Sequence, residues 1–84
     1  MRSNQIKNFK GYRWIVISPD LLGGKPTIKS TRISVSFVLN FLASGMTPKE
    51  ISIDYPGFPI ECIPEVLKFA AEQIDKVIPS DVAA

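Results

Sequence analysis

The chain has 84 residues, one cysteine and no histidine, with 45% apolar side chains, 21% charged ones and a net charge of +2. That composition folds as one small domain, near the lower limit at which a single core is self-sufficient, and it is not that of a disordered chain. It excludes an internal disulfide, removes the usual general base and commonest metal ligand, and holds no apolar run near the ~18 residues of a membrane span.

The net charge hides an asymmetry. Residues 1–32 carry seven basic groups against Asp20 alone, whereas residues 33–84 carry three lysines against seven acids. A basic half seeks phosphates and an acidic half is repelled by them, so any nucleic-acid contact is expected in the first part. Small cores are often completed by a partner, which makes a homodimer the expectation. A lone Cys62 without a signal peptide points to the cytoplasm.

In chain order, residues 1–11 read as a basic arm and residues 12–78 as one domain. Tyr12 to Ile17 is aromatic and β-branched, which predicts a strand. Ser18-Pro19-Asp20 and Gly23-Gly24-Lys25-Pro26 read as turns. Thr27 to Ile33 then returns as a second strand, forming a small N-terminal β-hairpin. From Ser34, read as an N-cap, the period becomes helical through Val35, Val38, Leu39, Leu42 and Met46, with Gly45 as the stop. Phe37 and Phe41, one turn apart beside this stripe, either widen the core or form a dimer or partner surface.

Thr47-Pro48-Lys49-Glu50 is a capping box with proline in the first turn, and Tyr55-Pro56-Gly57 ends the short helix it starts. Ile51 and Tyr55 face inward. A third helix lies between about Ile60 and Val77, its apolar stripe made by Ile63, Val66, Leu67, Ala70, Ile74 and Val77. A start near Ile63 would suit Pro64 best. Residues 79–84 form a loose tail. The outline is a mainly α, three-helix helix-turn-helix domain with a small N-terminal hairpin.

The stretch Gly23-Gly24-Lys25, with Ser30-Thr31 beyond it, has the look of a phosphate cradle. Such a loop must lead directly into a helix whose amides bind the phosphate. Pro26 removes an amide and forbids that helix, so the glycines are read as supplying positive φ angles for a turn.

Taken together, Pro19-Asp20, Gly23-Gly24-Lys25-Pro26-Thr27-Ile28, Thr31-Arg32-Ile33, Gly45, Thr47 to Ile51, Tyr55-Pro56 and Phe69-Ala70 resemble the prokaryotic family called domain of unknown function 433. Ser30, Pro59 and Pro64 depart from its usual pattern. The resemblance implies a winged or homeodomain-like helix-turn-helix fold, commonly dimeric. It also implies an antitoxin that blocks a small nuclease-type toxin of the PIN-like kind and represses its own promoter.

The cationic candidates for phosphate contact are Lys7, Lys10, Arg13, Lys25, Lys29 and Arg32, with surface solubility as the alternative role. Arg32 serves equally as a clamp that fixes the hairpin against the helices. Trp14 is read as core. Glu61, Glu65 and Glu72 make the third helix a poor major-groove reader and suit a basic partner, such as the cleft of a nuclease. No acid-base constellation, metal set or cofactor motif is visible, so the chain is read as a non-enzyme without a small-molecule substrate. The leading expectation is an antitoxin, the second a DNA-binding regulator with no toxin partner, and the third an interaction module.

Overall fold

The computed structural model describes residues 7–77. The expected arm before Lys7 and the expected tail 79–84 lie outside the described residues. Three short antiparallel strands, β1 (Lys7–Asn8), β2 (Ile15–Ile17) and β3 (Thr27–Ile28), form a sheet in the order β1-β2-β3. Three helices follow: α1 (Val35–Ala43), α2 (Pro48–Asp54) and α3 (Ile63–Val77). The chain is therefore mainly α with a small N-terminal sheet, as its periodicity predicts.

All three strands differ from the expectation. The strand expected from Tyr12 begins only at Ile15, because Tyr12 still belongs to the turn, its amide donating to the Phe9 carbonyl at 2.8 Å. Lys7 and Asn8 belong to a strand rather than an arm, paired with Ile17 and Val16. The second strand stops after Ile28 instead of running to Ile33, because Ser30 takes a left-handed φ of 66° that no extended strand accommodates. Residues 28–33 instead close a tight turn around Thr31. Its hydroxyl donates to the Ile28 carbonyl at 2.8 Å and accepts the Ile33 amide at 2.9 Å. The amide of Ile28 donates to the carbonyl of Ile33 at 2.9 Å, so the segment pairs with itself. The hydroxyl run builds a turn.

The helix ends follow local chemistry. Ser34 accepts the Phe37 amide at 3.0 Å and caps α1. At the other end, Gly45 adopts φ 96°, while the amides of Gly45 and Met46 bond the carbonyls of Leu42 and Phe41. Those two bonds are the Schellman arrangement that a glycine permits. Just beyond, α2 begins with a complete capping box: Thr47 accepts the Glu50 amide at 3.1 Å and Glu50 accepts the Thr47 amide at 2.8 Å. A 3-10 turn over Ile60–Cys62 precedes α3, which places Pro64 in the first helical turn, where its missing N–H has no partner to lose.

Ile15, Ile28, Val35, Val38, Ile51, Cys62 and Val66 form the sealed centre of the core, between the sheet, α1, α2 and α3. Phe9, Tyr12 and Phe69 close one side as a three-ring cluster with centroids 5.2–5.7 Å apart. Trp14 packs half-buried against the core, as read from its neighbours.

The α3 stripe is where helical periodicity misleads. Of the positions it assigns inward, Val66 is buried, but Leu67, Ile74 and Val77 are 51%, 55% and 75% exposed. Cys62 and Phe69 supply the rest of the buried face. The apolar arc of α3 is wider than a three-stranded sheet of this size and one nine-residue helix can cover.

Candidate nucleic-acid interface

All six candidate cations, Lys7, Lys10, Arg13, Lys25, Lys29 and Arg32, are exposed. Register explains how the chain distributes them. Ile15 lies opposite Ile28, and the Lys29 amide donates to the Trp14 carbonyl at 2.8 Å. Lys29 therefore stands opposite Trp14 at the end of the sheet where Arg13 leads into β2, with Lys10 in the turn that leads to Gly11. Lys7, opposite Ile17, marks the other end.

Lys25 and Arg32 converge elsewhere. With Leu22, Ser34 and Phe37 they line a shallow depression of about 450 Å³ at the amino end of α1. The turn preceding it holds Leu22, Gly23 and Gly24 at φ 51°, 65° and 88°. The amides of Gly24 and Lys25 are consumed by the carbonyls of Leu21 and Leu22, at 3.0 and 3.3 Å. A phosphate cradle would need those amides free, so the turn serves to present Lys25. What the depression offers is two cations, a serine and an aromatic edge, a mixture suited to a phosphate with an attached sugar or base.

Phe37 and Phe41 differ in burial. Phe41 is half-buried against Tyr55, with centroids 5.5 Å apart, and widens the core. Phe37 packs on Phe41 at 4.5 Å, yet remains 40% exposed at the rim of the depression.

Glu61, in the turn before α3, and Glu65 and Glu72, on the helix itself, do not form one open face. Glu65 is half-buried and accepts the amides of Arg13 at 2.8 Å and Trp14 at 2.6 Å. Glu72 accepts the hydroxyl of Tyr12. Both carboxylates thus bind the turn that enters β2, while Glu61 lies outside that contact. Burial, then the hydrogen bond to Glu72 and the charges of Glu72 and Glu65, push the Tyr12 phenol up to about 12. The Lys68 ammonium sits over the Tyr12 ring at 5.8 Å. Nothing in the sequence signals these contacts, because more than fifty residues separate the partners.

Cys62 is buried, and desolvation pushes its thiol up to about 11. At neutral pH it is a small apolar core residue with no nucleophilic character. Among the described residues no three His, Cys, Asp or Glu side chains gather as a metal site, and no helix is long and apolar enough to cross a membrane.

Residues 15–70 match the family described as Protein of unknown function (DUF433), and the chain belongs to that family. No curated protein and no solved structure matches it.

Proposed function

We propose that this DUF433 member is a non-catalytic regulator of the antitoxin type: it binds DNA phosphates through its cationic N-terminal half and neutralises a small PIN-like nuclease toxin. The observation that carries the reading is the depression in which Lys25 and Arg32 meet the amino end of α1 beside the open edge of Phe37. Cations position a protein on a phosphate backbone, and an aromatic edge adds sugar or base contact. Lys10, Arg13 and Lys29 offer further exposed cations apart from the depression, toward one end of the sheet. The carboxylates of α3 argue against major-groove insertion by that helix.

A second reading, a DNA-binding regulator with no toxin partner, is favoured by one observation. Glu65 and Glu72, two of the three acids suited to a basic toxin cleft, are engaged within the chain. A nuclease-treated pull-down from the native host separates the two. A stoichiometric small nuclease whose activity the protein inhibits supports the antitoxin; promoter binding without such a partner supports the regulator alone.

A further inference from the structure

We infer that the apolar groove between α1 and α3 binds a small amphipathic acid, an aliphatic body carrying one carboxylate. The site stands on the groove alone. Its effect on DNA rests on the phosphate contact proposed above for Lys25.

Phe69, Ala70, Gln73 and Ile74 share one side of α3 at i, i+3 and i+4 spacing, and with Val35 and Leu39 of α1 they line a groove of about 460 Å³. That volume falls among small-ligand sites, which are mostly apolar with a few placed polar groups. Among the described residues the polar side chains lining it are those of Lys25, Ser36 and Gln73, and none is an acid. The side-chain nitrogen of Gln73 is buried with no hydrogen-bond partner among the described residues. A buried donor without an acceptor is costly. A leucine at that position would cover the same wall without the cost, so the amide is better explained by a ligand oxygen than by the core.

The lining selects the charge of the ligand. Lys25 and the Gln73 nitrogen are both donors, which calls for a negatively charged head rich in acceptors. The Ser36 hydroxyl already pairs with that of Ser34 at 3.1 Å, which leaves the head to the other two. A carboxylate supplies an oxygen for the Gln73 amide and a counter-charge for the Lys25 ammonium, while a hydrocarbon body fills the apolar walls. A cationic amphiphile would meet Lys25 with like charge and leave the amide unpaired. Lys25 also lines the depression that holds Arg32. One ammonium cannot serve a ligand carboxylate and a DNA phosphate at full strength together, so by linkage each weakens binding of the other.

An NMR titration of the isotope-labelled full chain with decanoate tests the site. The Gln73 side-chain amide and the backbone amides of Ser36, Leu39 and Ala70 should shift and saturate, with a dissociation constant at or below about 1 mM. Decanol should bind about tenfold more weakly, and decylamine more weakly still. Lys25→Gln should lower the affinity for decanoate to that for decanol. Ile74→Asp, at a position already 55% exposed, should abolish binding with the native melting temperature kept. Gln73→Leu should weaken decanoate binding yet raise the melting temperature, since the unpaired donor is gone. Absence of saturation, shifts confined to other residues, or equal affinity for the three probes overturns the proposal. So do shifts of the same amides on diluting the protein alone, which would put a second copy in the groove. Saturating decanoate should weaken binding of the promoter fragment by the factor that Lys25→Gln does, and should change nothing in Lys25→Gln itself. Promoter affinity indifferent to bound decanoate overturns the linkage. A chain that binds no DNA defeats the proposed function, while the titration still decides the site.

Discussion

The Glu65 carboxylate accepts the backbone amide of Trp14 at 2.6 Å and so ties the fold's last helix to the entry of its central strand. The same carboxylate takes the Arg13 amide, which holds the entry of β2 at a fixed position on α3. A residue with the outward character of a partner-binding acid is thus an internal clamp.

Removing that acceptor leaves two amides to find other partners. Glu65→Ala should destabilise the fold by about 2 kcal/mol, the range for hydrogen bonds to a charged group. Glu65→Gln, which keeps one acceptor oxygen, should lose about half as much. Urea unfolding followed by circular dichroism measures both. Glu61→Gln, outside this clamp, should leave the midpoint unchanged.

Alkali should loosen the same region. The Tyr12 phenol is raised from 10.0 to about 12 and the Cys62 thiol from 9.0 to about 11, so the folded state favours both protonated forms. Their stabilising effect is fully present below the unfolded values of 10.0 and 9.0. It is lost progressively as pH rises through about 11 and about 12. Melting temperatures measured from mildly alkaline pH up to about 12 should fall across that window. In Tyr12→Phe the upper part of the fall should disappear, because no phenol remains to ionise there.

Cys62 should resist a thiol reagent such as dithionitrobenzoate while the protein is native and react once in full after unfolding in guanidinium. A native thiol that reacts at the rate of a free one would contradict its burial.

How much of this was legible depended on range. Thr47-Pro48-Lys49-Glu50 shows itself because the whole device lies within four residues, and Ser34 and Gly45 likewise act on nearby backbone groups. Periodicity located α3 but not its buried arc: it gives the apolar positions without the width of what covers them, so Leu67, Ile74 and Val77 turned outward. The break after Ile28 was hidden because a serine, not a glycine, takes the positive φ. Sequence alone presents Glu65 and Glu72 as acids suited to a basic partner, because the groups they bond within the chain lie more than fifty residues away. The convergence of Lys25 and Arg32 likewise needed the turn at residues 28–33 to bring them together.

The capping box is open to a test of its own. Thr47→Ala should cost about 1 kcal/mol, and adding Glu50→Ala should cost less than the sum of the two single changes. A double-mutant cycle on thermal unfolding reads that coupling. Strict additivity would contradict the reciprocal bonds seen at 3.1 and 2.8 Å.

Binding of DNA phosphates by the cationic half of the chain is the claim on which the proposed function turns. Fluorescence anisotropy with the protein's own promoter fragment, across a series of salt concentrations, decides it. The affinity should fall steeply and log-linearly with salt, and Lys25→Glu combined with Arg32→Glu should reduce the slope by about 2, one unit for each phosphate that is no longer neutralised. An affinity that ignores salt, or one that the double substitution leaves unchanged, would contradict the proposal.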